Sequence, residues 1–220
     1  WVGACTRQAD VERNDEIAAV PLLAKATPLI GHFQIRNRGT VGGSIAHADP
    51  AAEYPAVALT LDATMEVLSS RRRRTIRASD FFDGLWTTRL EPDELLVGVA
   101  FPVWGDRSGF AVEELTRRHG DFAIAGATVG VELGGDDRIA RCAIGLLGLG
   151  STPLRARRAE AELDGHRIED VDPDEVGRLA LDDVDAVPGD LHASAAYRRR
   201  VGAVMVARAW RTAREDACHE

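Results

Sequence analysis

Ile35-Arg36-Asn37-Arg38-Gly39-Thr40-Val41-Gly42-Gly43-Ser44-Ile45-Ala46-His47-Ala48-Asp49-Pro50-Ala51-Ala52-Glu53 is the stretch from which the rest of the chain is best read. Gly39, Gly42 and Gly43 strip side chains from a short run of backbone, so its N–H groups can approach a bulky anion such as a pyrophosphate. Thr40 and Ser44 add hydroxyl donors. Asp49 reads as an N-cap and Pro50 as the first residue of a following helix, with Glu53 near its first turn. That helix would point its N-terminal end at the same region. The stretch is not a P-loop, because no Gly-Lys-Ser/Thr follows the glycines. It is not a Rossmann fingerprint, because neither the GxGxxG spacing nor a strand–turn–helix unit is present. On residues alone, a tight structural turn and a phosphate cradle both remain open.

Working outward, residues 7–30 read as helical, broken by Pro21 and Pro28. Residues 63–69 and 73–78 read as a hairpin with Arg71–Arg74 at its tip, either a solvated turn or an anion patch. Leu95 to Phe101 reads as a strand closed by Pro102. Residues 109–116, 122–133 and 138–149 give three further strands separated by glycine–aspartate turns, an antiparallel meander. Residues 160–190 are helical and carry twelve carboxylates against two arginines, either a docking face for a basic partner or a solvated surface. A last helix spans about Ala193 to Arg214, with Tyr197, Val201, Val204 and Met205 expected to pack on the sheet. A boundary near 104–108 divides the chain into 1–104 and 105–220.

The composition excludes several classes. The 220 residues are 45% hydrophobic and 28% charged, as in a globular protein, and no apolar run is long enough to span a membrane. A net charge of -8 argues against nucleic acid as the partner. Cys5, Cys142 and Cys218 lie too far apart for a zinc or redox motif, and no metal site is expected. Three cysteines cannot ligate a four-cysteine iron–sulfur cluster.

The stretch Ile30–Ala63, with "ELLVGVAFP" (94–102), "RRHGDFAIAG" (117–126) and "DLHASAAYRRRV" (190–201), resembles the FAD subunit of molybdenum hydroxylases. These are the medium subunits of aerobic carbon monoxide dehydrogenase and its relatives, and the flavin domain of xanthine dehydrogenase. The resemblance covers essentially the whole chain. It implies an α+β fold: the C-terminal part of a vanillyl-alcohol-oxidase-type FAD domain (1–104), then a three-stranded antiparallel sheet with a helical bundle (105–220). The family carries an earlier glycine-rich motif that also holds the FAD pyrophosphate. None precedes Trp1, and the expectation is that an N-terminal segment is missing.

By the same resemblance, Thr40, Gly42 and Gly43 form the pyrophosphate loop, and Ile35 and Gly39 lie along the cofactor. Ser44 and His47 supply small polar groups near FAD. Ala52 and Glu53 fall where relatives place a carboxylate toward the ribose or flavin, and Leu96 beside the adenine or ring. Some relatives carry a flavin-tuning lysine at the position of Glu113, a role not carried over to a glutamate. No catalytic acid–base pair is expected on this chain. The implied function is electron relay: FAD here takes electrons from a 2Fe–2S small subunit, fed by a molybdopterin large subunit, and passes them to an external acceptor. The implied assembly is a dimer of heterotrimers, cytoplasmic or peripheral at the inner membrane through the complex. The alternatives are a non-catalytic assembly module derived from a flavin subunit, and a self-standing flavoprotein oxidoreductase.

Overall fold

A computed structural model describes residues 1–219. In chain order its elements are β1 (Val2–Gly3), α1 (Gln8–Arg13), α2 (Pro21–Ala26), α3 (Phe33–Arg36), α4 (Val41–His47), α5 (Glu53–Thr60), β2 (Thr64–Leu68), β3 (Arg73–Arg77), α6 (Ala78–Phe81), β4 (Phe82–Gly84), β5 (Thr87–Thr88) and β6 (Leu95–Ala100). There follow β7 (Ser108–Leu115), β8 (Ala125–Leu133), β9 (Ile139–Leu147), β10 (Leu154–Arg155), α7 (Arg157–Leu163), α8 (Pro173–Asp182) and α9 (Ala195–His219).

The first sheet is antiparallel with strand order β1-β6-β2-β3. In β2 the side chains alternate, with Met65 and Val67 buried, as a half-covered strand requires. The arginines near the β2–β3 turn are taken up by neighbouring acids. Arg71 pairs with Asp93 at 2.6 Å, Arg73 with Glu66 at 2.5 Å and Arg74 with Glu94 at 2.6 Å. The anion-patch alternative for this run loses its free charge.

The second sheet has order β10-β9-β8-β7. Its three long strands are the expected meander; the addition is β10, a two-residue edge strand after Pro153. Arg155 anchors it, donating to the Leu59 carbonyl at 2.7 Å and to Glu160. β8 is buried almost throughout, because both faces of this sheet are covered. On one face lie α7, α8 and α9. Gly109 of β7 lies under α9, where an added Cβ would stand 1.8 Å from the Ala213 carbonyl oxygen. Gly177 of α8 does the same service against the Ala203 carbonyl, at 2.2 Å.

On the other face sits α5, all eight of whose residues are buried. Small groups let it approach: a Cβ on Gly145 would stand 2.1 Å from Thr60 Oγ1, and the Thr60 and Thr128 hydroxyls share a hydrogen bond of 2.6 Å. Thus α5 joins the two halves of the chain.

Two expectations on the helices change. Val201 and Met205 of α9 pack on the sheet, but Tyr197 and Val204 face outward; the buried stripe instead runs through Arg198, Gly202, Val206, Ala209, Trp210 and Ala213. Much of the acidic 160–190 run is also used internally. Glu160 is buried against Arg155, Asp183 accepts from the Arg158 N–H, and Asp172 caps α8. That weakens the reading of this run as a docking face.

Candidate functional site

The segment 31–48 forms two short helices, α3 and α4, joined by a tight turn. Arg36 holds the turn's approach, donating to Glu12 at 2.9 Å and to the Ile30 carbonyl at 3.0 Å. The Gly39 N–H closes on the Ile35 carbonyl at 2.7 Å. Thr40 then caps α4, its Oγ1 accepting from the Gly43 N–H at 3.0 Å.

The three glycines have different reasons to be glycine. A Cβ on Gly42 would stand 2.4 Å from the Ala4 Cβ, and one on Gly39 would stand 2.5 Å from Gln8 Oε1. Both positions admit neighbouring chain rather than a ligand. Gly43 is the exposed one of the three, and its missing Cβ would meet only the Thr40 side chain, with Oγ1 at 2.8 Å. The first amides of α4 are also engaged: Val41 donates to the Thr6 carbonyl and Gly42 to the Ala4 carbonyl, both at 2.9 Å. The Gly43 N–H is taken as well, by Thr40 Oγ1, and the Ser44 N–H by the Thr40 carbonyl at 3.1 Å, so the picture of three glycines freeing amides for a phosphate does not hold; what remains is the exposed backbone at Gly43, flanked by the hydroxyls of Thr40 and Ser44.

Ile35 is 51% exposed just before this turn. His47 is exposed one helical turn beyond Gly43 and Ser44. α4 packs on β6, the strand that carries the half-buried Leu96. Ile35, Gly39, Thr40, Gly43, Ser44 and His47 follow one another along α3, the turn and α4, and Leu96 lies on β6, against which α4 packs.

Asp49 does not cap a helix. Its Oδ1 accepts from the Ala51 N–H at 2.8 Å in a local turn, and its Oδ2 accepts from the Trp86 indole N–H at 3.0 Å. α5 starts later, at Glu53, after the buried Ala52. Glu53 is only 4% exposed, and burial, with the Asp49 charge adding to it, raises its pKa to about 7. Glu114 lies in the same environment, its pKa raised to about 8 by burial and by the charge of Glu53. Glu113, the position at which some relatives carry a lysine, is its neighbour on β7. Along β7, Phe110, Val112 and Glu114 share the face toward α5, whereas Ala111, Glu113 and Leu115 share the α9 face.

A cleft of about 800 Å³ opens beside this region, lined by Asp49, Leu85, Trp86, Arg117, Phe122 and His192. Trp86 sits at φ 53°, a conformation a bulky residue rarely adopts. Behind it, buried Arg198 donates to the Gly148 carbonyl at 3.2 Å and to Asp190 at 2.5 Å. Neither Trp86 nor Arg198 was singled out from sequence, although Arg198 lies within the quoted stretch 190–201. The three cysteines are free thiols, with Cys142 buried. No group of metal-binding side chains is found among the described residues.

The family profile described as "FAD binding domain in molybdopterin dehydrogenase" matches residues 1–104, and "CO dehydrogenase flavoprotein C-terminal domain" matches residues 110–213. The chain is 40% identical to 6-hydroxypseudooxynicotine dehydrogenase complex subunit alpha of Paenarthrobacter nicotinovorans, over 94% of this chain and 70% of that protein. The chain belongs to the FAD-binding medium subunits of the molybdenum hydroxylase family. Within that family it is also 34% identical to the carbon monoxide dehydrogenase medium chain of Afipia carboxidovorans, over 98% of this chain and 75% of that one. The solved structure of reconstituted CO dehydrogenase from Oligotropha carboxidovorans superposes with a TM-score of 0.91 at 33% identity, covering 97% of this chain and 74% of that one. The medium-subunit fold is mixed α and β, as expected, and the relatives are dehydrogenases. No described helix is long and apolar enough to cross a membrane.

Proposed function

We propose that this medium subunit binds FAD along the Ile35–His47 segment and relays electrons through it. The electrons come from a 2Fe–2S partner, fed by a molybdopterin subunit, and leave to an external acceptor. The observation that carries the reading is Gly43, the one exposed glycine of the segment, whose missing Cβ has no neighbour but the Thr40 side chain that caps the same helix.

The residues suit the cofactor. Thr40 and Ser44 offer hydroxyl donors to a diphosphate beside Gly43, and a side chain there would fill the approach. Gly42 shapes the loop from behind, by admitting Ala4. Exposed Ile35 offers apolar cover along Gly39, and His47 continues the polar row on α4. By the family resemblance, Ala52 and Glu53, both buried at the start of α5, would fall toward the ribose or flavin, and Leu96 of β6 beside the adenine or ring. FAD, when bound, supplies the redox chemistry by accepting and releasing electrons. The chain binds and orients it, shields one side of it and sets the local charge. No acid–base pair on this chain is needed for substrate oxidation, which belongs to the molybdenum subunit. The assembly we infer is a cytoplasmic dimer of heterotrimers.

The test is electron delivery. The chain, loaded with FAD, is mixed anaerobically with its iron–sulfur partner already reduced by dithionite. Bleaching of the flavin absorbance with a rate that saturates in partner concentration is the expected result. Bound flavin that stays oxidised would favour the assembly-module alternative.

A further inference from the structure

Three of the chain's six histidines gather around one turn, residues 117–122, which leads from β7 to β8. The Ile124 N–H closes its base on the Leu115 carbonyl at 2.7 Å. Its tip rests on the residues that lead into α3. Gly120, at φ 81°, meets Gly31, at φ 51°, so closely that a Cβ on Gly120 would stand 3.0 Å from the Gly31 carbonyl carbon and 2.9 Å from His32 Cε1. Beside this contact the His119 and His32 rings lie 5.7 Å apart, tilted by 52°. A second hold comes from Arg117, whose guanidinium is 2.6 Å from His192 Nδ1. A guanidinium can only donate, so this bond requires a His192 Nδ1 that carries no proton. Arg117 and His192 both line the cleft of about 800 Å³, as does Phe122 of the same turn.

The charges around these contacts come from every side. The turn itself carries Arg117, Arg118 and Asp121, and β7 carries Glu113 and Glu114 at its base. From α3 comes Arg36, held by Glu12 at 2.9 Å and by the Ile30 and Gly31 carbonyls. From the 190–198 side come Asp190 and Arg198, paired with each other at 2.5 Å, and Asp190 also accepts from the His192 and Ala193 N–H groups. Asp49, which lines the same cleft, is bonded to the Trp86 indole.

An imidazole ordinarily gains its charge between about pH 5 and pH 8. A proton on His192 Nδ1 removes the acceptor and sets a cation against Arg117. Protons on both His32 and His119 set two cations ring to ring, with Arg118 next to His119 in the chain. We infer that the 117–122 turn is an acid-released clasp on the wall of the cleft, seated on the lead-in to α3 and on His192 while these histidines are neutral, and freed to open the cleft when they take up protons. The clasped turn binds fewer protons than the freed one. Its stability is therefore full at high pH and is lost as pH falls through the imidazole range. The clasp governs access to the cleft and does not depend on where FAD lies.

Trypsin reads the clasp directly, because Arg117 and Arg118 are cleavage points on the turn. Cleavage after these two residues is followed by mass spectrometry between pH 5.5 and pH 8. A free peptide spanning 114–122, cut alongside, corrects for the protease's own pH dependence. The ratio of chain to peptide rate rises about tenfold on acidification of the parent chain, the change that one linked proton gives over one pH unit. In His119→Gln/His192→Gln the glutamine at 192 can accept from Arg117 at any pH, and the ratio stays level within about twofold. Both positions are exposed, so the variant keeps the parent's fold, and melting at pH 8 checks it. A level ratio in the parent overturns the clasp. A double variant whose ratio rises as steeply as the parent's overturns the assignment to these histidines. His32→Gln alone flattens part of the rise, and a rise equal to the parent's removes the ring pair from the clasp.

Discussion

Gly43→Trp lowers FAD affinity by at least ~100-fold, equivalent to about 2.8 kcal/mol, while the chain stays folded. Gly43 is exposed, and its missing Cβ has only Thr40 beside it, with Oγ1 at 2.8 Å. The indole would therefore grow outward into the space assigned to the diphosphate instead of into packed chain. The disturbed neighbour is the Thr40 cap, whose loss costs about 1 kcal/mol, or a few degrees in Tm for a chain of this size. Gly43→Ala serves as the control, because it crowds the same cap but leaves most of the approach open. Fluorescence titration with FAD and thermal melting separate the two effects. Parent-like affinity in Gly43→Trp, with the melting temperature preserved, would remove Gly43 from the binding site.

Gly109→Val acts on the fold instead. The Cβ would stand 1.8 Å from the Ala213 carbonyl oxygen and 2.5 Å from the Ala217 N–H nitrogen, both backbone atoms of α9. No rotamer relieves a clash with backbone, so α9 must lift from β7. With it would go the packing of Val206, Ala209 and Trp210, which are fully buried. The expected loss exceeds about 4 kcal/mol, in the range reached only by severe core disruption. Urea unfolding followed by tryptophan fluorescence checks it, since Trp210 lies within the affected core. A midpoint near the parent's would mean that α9 does not press on β7 as described.

Some of this was legible in the residues. The strands β6, β7, β8 and β9 are readable because their apolar runs are bounded by glycine–aspartate turns or a proline, whose backbone preferences are strong. The start of α5 was not. Asp49-Pro50 carries the signals of a helix start, yet the Asp49 carboxylate serves a local turn and the Trp86 indole. Short polar side chains bond to nearby backbone in turns and caps alike. The α9 stripe was misplaced because Tyr197 and Val204 are apolar enough to suggest the buried side, whereas the side that packs includes Arg198, buried on backbone carbonyls.

The candidate site divides in the same way. The run Thr40–Ser44 marks itself by glycine and hydroxyl content. Which glycine answers to a ligand and which to packing depends on Ala4 and Gln8, more than thirty residues away in the chain. Glu113 and Glu114 cannot be ranked from sequence, because a strand sends neighbours to opposite faces and only the docking of α5 says which face matters. Trp86 gave no signal, since its φ of 53° and its bond to Asp49 exist only in the folded chain.

Amide hydrogen exchange across residues 31–53, compared with and without saturating FAD, tests the central claim most directly. The account predicts added protection centred on Gly39–His47, strongest at Gly43 and Ser44, and extending to Ala52 and Glu53. FAD that binds saturably yet leaves exchange in this segment unchanged, with protection gained only around Trp86 and Phe122, would contradict it.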